Sequence, residues 1–272
     1  MLETVEKVKP NKLKESVSND HGSIRLILGD SIEELKKIPS NSAKLTFTSP
    51  PYNMNLRIRS GKYCSRQIVK ELTTKYQNYD DNLSMEDYYD FNKKILDELL
   101  RVSKYVFYNV QFLTGNKPAL FKLIGEYSEN IKEFIIWDKN VAQPAIRDGV
   151  MNSQFEVILV LTSEKSEAMS RRFQDSNFLR GTLSNHWKIG RGKKLAKDHG
   201  AVFPEELAEK IILNFSNEGD VVIDPFMGSG TTGVVCKKTK RKFVGIEIDP
   251  DYFDFSKNRI NTTNDKYLFG VC

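Results

Sequence analysis

The sequence predicts an α/β fold in which a mostly parallel, seven-stranded sheet carries helices on both faces. Two observations lead to this prediction. Short apolar segments of strand character alternate with segments of helical spacing, which is the pattern of βαβ units. A glycine-rich turn also follows one strand directly and opens the next helix. The chain has 272 residues, 39% of them hydrophobic and 28% charged, which suits a soluble globular protein with a sizeable core.

The first part of the chain supplies most of the predicted strands. Short apolar segments predict strands at residues 24–29, 44–48, 104–110, 134–137 and 155–161. Helices are predicted at 32–38, from Ser84 onward and at 119–127, and Asp87 follows Ser84 by three residues as in a capping box. Residues 53–83 are polar and basic without periodicity, and we expect this long loop to be functional and mobile.

The second part begins with a break in the rhythm at residues 163–196, which we interpret as an insertion. Pro204 opens a predicted helix at 205–215. A strand at 221–223, a helix at 232–238, a strand at 243–248 and a helix at 252–260 follow. The predicted organisation is an arm at 1–23, a first half at 24–162, the insertion at 163–196, a second half at 197–262 and a tail at 263–272.

Several classes of protein are disfavoured by composition. Three cysteines are too few and too scattered for a disulfide framework or a zinc site, so no metal is expected. No apolar segment approaches the roughly 18 residues of a membrane span. Residues 1–12 are charged and lack the apolar core of a signal peptide. We therefore expect a cytoplasmic protein without a membrane partner.

The net charge of +5 is concentrated in two stretches. Residues 163–200 contain nine basic and four acidic side chains, and residues 57–76 contain six basic and one acidic. The rest of the chain is therefore mildly acidic. Two such stretches suit the binding of a polyanion such as nucleic acid, although ordinary solvated loops would show the same composition.

The glycine turn, residues 224–233, indicates a cofactor that contains adenosine. Its Gly228, Gly230 and Gly233 satisfy the pattern G-x-G-x-x-G between a strand and a helix. Glu247 ends the next predicted strand, where a carboxylate can accept hydrogen bonds from both hydroxyls of a ribose. A P-loop is disfavoured because threonines follow Gly230 where that motif requires lysine.

The SPPY turn, residues 49–52, lies at the end of another predicted strand, where ligands bind in such sheets. Its two prolines stiffen the backbone and leave their carbonyl groups as free acceptors. Ser49 adds a hydroxyl acceptor, and Tyr52 adds a flat aromatic face. Together these groups suit a planar molecule that bears an amino group, although a rigid strand-ending turn without a ligand is the alternative.

The SPPY turn and the glycine turn, in this order, resemble the motifs of the S-adenosylmethionine-dependent DNA amino-methyltransferases of the permuted β class. Residues 197–207 resemble the segment that opens the helix before the glycine motif, except that Gly200 replaces a usual proline. The resemblance covers residues 24–260. It implies a circularly permuted, Rossmann-like methyltransferase fold with a small inserted target-recognition region at 163–196, and a role like that of restriction–modification enzymes.

Residue roles follow from the resemblance. The implied catalytic residues are Ser49, Pro50, Pro51 and Tyr52. The implied residues for binding the cofactor, S-adenosylmethionine, are Asp30, Phe203, Pro204, Asp224, Pro225, Phe226, Gly228, Ser229, Gly230, Thr231, Thr232 and Glu247. The implied contacts to double-stranded DNA are Arg57, Arg59, Arg171, Arg172, Arg180, Lys188, Arg191, Lys193 and Lys194. A homodimer and a cognate restriction endonuclease are further partners compatible with it.

The target base is predicted from the first residue of the SPPY turn. In the family, serine at this position more often accompanies N4 of cytosine and aspartate accompanies N6 of adenine, so Ser49 favours cytosine. Adenine N6 is the alternative, and RNA or a protein glutamine amide is less favoured. A dinucleotide-dependent oxidoreductase would leave residues 49–52 unexplained, and an inactive DNA-binding protein would not need them. Methylation at C5 of cytosine would require a cysteine after proline, which the chain lacks.

Overall fold

The computed structural model describes residues 16–19, 23–53, 57–59, 62–64, 83–143, 148–192 and 203–264. The strands are β1 (Ser16–Asn19), β2 (Ile24–Leu28), β3 (Ala43–Thr48), β4 (Arg57–Arg59), β5 (Lys62–Cys64), β6 (Ser103–Val110), β7 (Ile131–Gln143), β8 (Ser153–Leu161), β9 (His186–Lys188), β10 (Val221–Asp224) and β11 (Lys242–Glu247). The helices are α1 (Ser31–Leu35), α2 (Met85–Val102), α3 (Lys117–Glu126), α4 (Lys165–Met169), α5 (Glu205–Phe215), α6 (Thr231–Lys238) and α7 (Pro250–Thr262).

The main sheet has the strand order β1-β2-β11-β10-β3-β6-β8-β7-β9. The five neighbouring strands β2, β11, β10, β3 and β6 are parallel, whereas β8 runs antiparallel to both of its neighbours, β6 and β7. The α/β class and the mostly parallel sheet are thus confirmed, but the sheet has nine strands rather than seven. The additional strands are β1 and β9 at the two edges, with four and three residues. Neither segment contains a run of apolar residues, since their sequences are SVSN and HWK, whereas the equally short β10 reads VVID.

The antiparallel step at β8 has a visible cause in the chain. No segment with helical spacing lies between β7 and β8, so the two strands pair as a hairpin instead of crossing over through a helix. Strand β7 has 13 residues and is longer than the segment 134–137 that the sequence predicts. The hairpin therefore extends beyond the edge at which β3, β10 and β11 end. We call this the carboxyl edge, and the opposite one the amino edge.

Helices cover both faces of the sheet, as expected. Helices α1, α2 and α3 pack on one face through residues such as Leu35, Leu99 and Leu123, and α5, α6 and α7 pack on the other. Strand β6 contributes to both layers, because Phe107 and Val106 are fully buried on opposite faces. This double burial explains why its sequence is apolar almost throughout.

Helix boundaries agree with the local sequence signals. Ser84 is the N-cap of α2: its Oγ accepts a hydrogen bond of 3.1 Å from the Asp87 amide and donates one of 2.7 Å to the Asp87 carboxylate. Helix α5 begins after Pro204 and covers the predicted residues. None of the helices within the described ranges is long and apolar enough to cross a membrane.

Besides the insertion, which contains β9, two further regions without a predicted strand contain short strands. Residues Ser16–Asn19, inside the predicted arm at 1–23, form β1 and pair with β2. Residues Arg57–Arg59 and Lys62–Cys64, inside the predicted loop at 53–83, pair as the separate hairpin β4–β5. Most other residues of this loop and of the tail lie outside the described residues, and so does the whole of segment 197–202. The expected mobility of the loop therefore stays a prediction.

Candidate active site

The SPPY turn and the glycine turn lie side by side at the carboxyl edge. Residues 49–52 directly follow β3, and Asp224 ends β10, the parallel neighbour of β3. Because parallel strands end at the same edge, Thr48 and Asp224 meet there although 176 residues separate them in the sequence. The chain order, with the SPPY turn first, is consistent with the expected circular permutation.

A buried carboxylate joins the two turns. Asp224 accepts hydrogen bonds of 2.7 Å from the hydroxyls of Thr48 and Thr232, and one of 3.2 Å from the Phe226 amide. Burial raises the pKa of Asp224 to about 6, although all of these hydrogen bonds lower it. Asp224 and Thr232, both predicted to contact the cofactor, thus hold the glycine turn against β3.

The glycine turn needs its glycines for two different reasons. Gly228 and Gly230 have φ angles of 47° and 77°, which favour glycine. A Cβ at Gly228 would meet only the Phe226 carbonyl, at 3.9 Å, so the space in front of this backbone is open. A Cβ at Gly233 would lie 2.5 Å from Ile260, so that glycine allows α6 to pack closely on its neighbours.

Arg259 on α7 supports the glycine turn from behind. Its Nη1 donates hydrogen bonds of 3.0 Å to the Ser229 carbonyl and to the Thr231 hydroxyl, and its Nη2 pairs with Glu205 at 2.7 Å. Ser229 and Thr231 are buried. The predicted cofactor residues Ser229 and Thr231 therefore contribute to the shape of the turn through α7.

Glu247 ends β11 next to the glycine turn, as predicted. Its Oε2 accepts a hydrogen bond of 2.9 Å from the Gly228 amide, and its Oε1 accepts 3.0 Å bonds from the amides of Ile248 and Asp249. Burial raises the pKa of this carboxyl to about 7. Oε1 therefore uses both of its lone pairs, whereas Oε2 keeps one that can accept a hydrogen bond from a further hydroxyl group.

The start of the chain's first half also reaches this edge. Asp30 caps α1 by accepting a 3.0 Å hydrogen bond from the Glu33 amide, and it is exposed. It lies close to Glu247, because the adjacent Gly29 amide donates to the Glu247 carbonyl at 2.8 Å. Ser31 donates a 2.6 Å hydrogen bond to the Pro225 carbonyl. The structure thus brings Asp30 and Pro225 together with Glu247.

Aromatic residues flank both turns. The Phe203 ring packs against the Phe47 ring of β3 with centroids 4.6 Å apart, and Pro204 caps the adjacent α5. The Phe226 ring lies 5.9 Å from that of Phe91 on α2. All three predicted residues, Phe203, Pro204 and Phe226, are half-buried near the carboxyl edge.

The backbone of the SPPY turn is held by side chains from other elements. Tyr88 on α2 donates to the Pro51 carbonyl at 3.0 Å, and Asn116 donates to the Tyr52 carbonyl at 2.6 Å. Asn53, at a φ of 52°, is buried and bonds both the amide and the carbonyl of Leu83. Asn53 thereby joins the two ends of the segment between residues 53 and 83.

The Tyr52 hydroxyl lies at the centre of a polar network. It is 2.6 Å from Ser49 Oγ and donates a 3.0 Å hydrogen bond to Glu156 on β8. Asn109 Nδ2 donates to the Tyr52 hydroxyl at 2.8 Å and to Glu156 at 2.6 Å. Burial and the Glu156 carboxylate raise the pKa of Tyr52 well above its usual range, so the phenol remains protonated.

The predicted DNA contacts do not all lie at this edge. Exposed Arg171, Arg172 and Arg180 line one cavity of about 500 Å³ together with Asp175. Asp175 pairs with Lys44 at 3.4 Å and with Lys104 at 3.1 Å, and these lysines are the second residues of β3 and β6. The three arginines therefore lie at the amino edge, opposite the SPPY turn.

Lys188 and Arg191 occupy the other end of the insertion. Strand β9 runs parallel to β7 and places Lys188 opposite Asp138, toward the carboxyl edge, and Arg191 follows. Both side chains are exposed. Trp187 is buried in the core, whereas His186 is half-exposed and lies 3.3 Å from Asp138. Lys193 and Lys194 lie outside the described residues, as do the side chains of Arg57 and Arg59.

Several residues of the site were not predicted. They are Thr48, Asn53, Tyr88, Asn109, Asn116, Glu156, Arg259 and Lys139, whose Nζ donates a 2.5 Å hydrogen bond to Glu156. A signal exists for two of them, because Asn109 and Glu156 interrupt otherwise apolar strands near the ends that reach the carboxyl edge. A buried polar residue in such a place requires a hydrogen-bonding partner, and a catalytic turn can supply one.

The sheet order and the paired turns define the class of S-adenosylmethionine-dependent methyltransferases. Residues 43–258 match the model of the N6/N4 methyltransferase family, described as DNA methylase. The chain belongs to this family of DNA amino-methyltransferases of the restriction–modification type.

Individual relatives agree with the family assignment. The chain is 30% identical over 254 residues to the type II methyltransferase M.HpaI of Haemophilus parainfluenzae, covering 88% of this chain and 74% of the relative. It is 29% identical over 279 residues to M.Cfr9I of Citrobacter freundii, covering 92% and 91%. Among solved structures, the PvuII DNA methyltransferase (cytosine-N4-specific) has a TM-score of 0.65 at 20% identity, covering 89% of both chains.

The carboxyl edge fits S-adenosylmethionine, the cofactor of this family. The half-exposed backbone at Gly228 faces open space that a side chain would fill, and Oε2 of Glu247 retains a lone pair for a ribose hydroxyl. When bound, the cofactor supplies a methyl group activated by the positive charge of a sulfonium. The protein is thus an enzyme that transfers a methyl group to DNA, at N4 of cytosine or N6 of adenine.

Proposed function

We propose that this enzyme methylates the exocyclic N4 of a cytosine that is flipped out of double-stranded DNA. The observation that carries the proposal is Ser49: a neutral hydroxyl, not a carboxylate, begins the SPPY turn at the carboxyl edge. In enzymes that this chain resembles, serine there more often accompanies cytosine. An exocyclic amine is buried in the base stack, so the base must leave the duplex to reach this turn.

The chemistry proposed for the SPPY turn is preorganised acceptance of the amine hydrogens. The amine lone pair is conjugated with the base and is a poor nucleophile. Ser49 Oγ and the Pro50 carbonyl would each accept one hydrogen and would stabilise the positive charge that develops on nitrogen. The Tyr52 ring would stack on the base, and Pro51 would keep the turn rigid, with its carbonyl held by Tyr88. No covalent nucleophile is required.

The proposed cofactor residues divide into contact and support. We infer that Glu247 binds the ribose, Asp30 lies near the adenine amine, and the backbone at Gly228 and Gly230 borders the methionine part. Phe226, Phe203 and Pro204 would cover the cofactor. The internal hydrogen bonds of Asp224, Ser229, Thr231 and Thr232, and the Pro225 carbonyl bonded to Ser31, support the shape of the turn.

The proposed DNA surface is the carboxyl edge. The insertion at 163–196 is proposed as the target-recognition region, and its Lys188 and Arg191 lie on the same side as the SPPY turn. Arg57, Arg59, Lys193 and Lys194 belong to segments that adjoin this side in the chain. Arg171, Arg172 and Arg180 lie at the amino edge, so any DNA contact they make would be remote from the flipped base.

The decisive experiment identifies the methylated base. The protein is incubated with methyl-labelled S-adenosylmethionine and duplex DNA of mixed sequence, and the digested nucleosides are analysed by mass spectrometry. Labelled N4-methylcytosine supports the proposal, and labelled N6-methyladenine would refute the base assignment. Ser49→Ala and Tyr52→Ala serve as controls, because both should abolish transfer while cofactor binding survives.

The less favoured substrates are tested in parallel incubations in which RNA or a protein rich in glutamine replaces the DNA. A restriction–modification role would place the enzyme in the cytoplasm beside a cognate endonuclease, and family resemblance makes a homodimer the expected assembly. Sedimentation at micromolar concentration tests the homodimer directly.

A further inference from the structure

A buried carboxylate outside the SPPY turn ends the hydrogen-bond network of the site. Glu156 on β8 is 7% exposed, and its Oε2 accepts hydrogen bonds from Tyr52 at 3.0 Å and Asn109 at 2.6 Å. Its Oε1 accepts a 2.5 Å hydrogen bond from Lys139 Nζ. Both carboxylate oxygens therefore accept hydrogen bonds, Oε2 from Tyr52 and Asn109 and Oε1 from Lys139.

The positions of the protons in this network follow from the donors and acceptors around Glu156. An ionised carboxylate has no proton to give, so the hydrogen bond between Tyr52 and Glu156 must use the tyrosine proton. The Tyr52 oxygen is then only an acceptor toward Ser49, 2.6 Å away. Ser49 must donate its own hydroxyl proton to Tyr52. Only the lone pairs of Ser49 Oγ remain for other partners, and Asn109 Nδ2 reaches them at 3.3 Å.

We propose that Glu156 is a positioning residue that fixes the direction of this hydrogen-bond chain and makes Ser49 an obligate acceptor. An obligate acceptor favours a base that presents an amino group and disfavours one that presents a carbonyl oxygen. Specificity for an amine would thus be set by a carboxylate on β8 that acts through Tyr52. The proposal rests on the methyltransferase activity and holds for either cytosine N4 or adenine N6.

The isosteric substitution Glu156→Gln tests the proposal, because Lys139 fixes the orientation of the new amide group. In Glu156→Gln the side chain has one oxygen and one amide nitrogen. The Lys139 ammonium can only donate, so it takes the amide oxygen, and Asn109 Nδ2 loses the acceptor that it has in Glu156 Oε2. The amide nitrogen then faces Tyr52 and donates to it, and the tyrosine proton must turn toward Ser49. Ser49 then directs its own proton outward, where it opposes the amine hydrogens.

The test measures kcat for transfer to DNA and cofactor affinity by calorimetry in the purified protein. We expect Glu156→Gln to lower kcat about 100-fold, the scale of losing one preorganised hydrogen-bonding group, with little change in the Kd for S-adenosylmethionine. In a Tyr52→Phe background the same change should lower kcat less than about three-fold, because the chain to Ser49 is already cut. Glu156→Gln combined with Lys139→Met should recover part of the lost kcat, since the amide can then rotate.

A matched control exists at the amino edge. Glu167 is buried, and its Oε1 accepts a hydrogen bond of 2.6 Å from Tyr105 and pairs with Lys132 at 3.1 Å, so a tyrosine and a lysine meet a carboxylate there without contact to the SPPY turn. Glu167→Gln should lower the thermal stability and leave kcat unchanged.

Three outcomes would overturn the proposal. One is a kcat in Glu156→Gln within about three-fold of the wild type. Another is an equal loss of kcat with and without the Tyr52 hydroxyl. The third is a fall in kcat that is explained by weaker cofactor binding together with a loss of thermal stability as large as that of Glu167→Gln. A failure of the enzyme to methylate DNA at all would instead refute the proposed function.

Discussion

The hydroxyl of Thr48 donates a hydrogen bond of 2.7 Å to the buried carboxylate of Asp224. Thr48 precedes the SPPY turn, and Asp224 begins the glycine turn. This one bond therefore joins the last residue of strand β3 to the loop that we propose binds the cofactor. We expect the positions of the cofactor and the target base to depend on each other through it.

Thr48→Val should disturb both turns at once. The change keeps the shape but leaves Asp224 Oδ1 without its hydroxyl donor, which costs about 1–3 kcal/mol of stability. We expect weaker binding of S-adenosylmethionine by calorimetry and a lower kcat. Thr46→Val is the control. Thr46 lies in β3 like Thr48, but its hydroxyl forms a 2.8 Å hydrogen bond with Ser103 of β6, away from the site. Equal effects of the two variants on cofactor affinity would contradict the prediction.

The free energy of unfolding should depend on pH through the carboxyl group of Glu247. Burial raises its pKa from 4.5 to about 7, so in this window the folded state holds a proton that the unfolded state has lost. The contribution of Glu247 to the free energy of unfolding therefore falls as the pH rises from about 4.5 to 7, by up to about 3 kcal/mol. Urea unfolding of wild type and Glu247→Gln across this range gives the difference. A difference that stays flat or increases with pH would show that Glu247 is not perturbed in this way.

Cofactor binding should have the opposite pH dependence. An ionised carboxylate accepts hydrogen bonds from ribose hydroxyls more strongly than a protonated one. The affinity for S-adenosylmethionine should therefore rise between about pH 6 and 7.5 in the wild type, as Glu247 ionises around its pKa of about 7. Calorimetry on Glu247→Gln should find weaker binding and a smaller pH dependence. An unchanged slope in the variant would assign the effect to another group.

Salt dependence should separate the two groups of basic residues in the insertion. Lys188→Gln with Arg191→Gln should weaken DNA binding and reduce the slope of log affinity against log salt by about 2, because each phosphate contact contributes about 1. The triple change of Arg171, Arg172 and Arg180 to Gln removes more charge, but from the amino edge. We expect it to reduce the slope less. The reverse order would place the DNA on the amino edge.

Asn53 should be important for stability as well as for the site. Asn53→Ala removes its buried hydrogen bonds to Leu83 and Gly115 and places alanine at a φ of 52°. We expect a loss of about 3 kcal/mol in urea unfolding together with a lower kcat. Asn140→Ala, at an exposed residue with a φ of 63°, should cost about 1 kcal/mol and serves as the control for backbone strain. Similar losses in both variants would mean that the Asn53 side chain contributes little.

The order and type of most elements could be predicted because their causes are local. Hydrophobic periodicity placed seven strands, and caps such as Ser84 and Pro204 placed helix starts near their observed positions. The two turns were recognisable because glycine and proline restrict the backbone in ways that few other residues can replace. The family and its cofactor followed from those two segments.

The contacts between those elements could not be predicted in the same way. Glu156 meets Tyr52 across 104 residues because β8 enters the sheet beside β6, and hydrophobic periodicity does not specify strand order. The basic insertion looked like one charged segment, yet its arginines at 171, 172 and 180 and its Lys188 lie at opposite edges.

The sequence by itself therefore determined the class of fold, the two turns and the chemistry they share, because those depend on residues close together in the chain. Only the tertiary structure decided which buried side chains orient Ser49 and which charges share an edge with it. Hydrogen bonds and ion pairs act over a few ångströms, and strand order alone brings distant residues within that range.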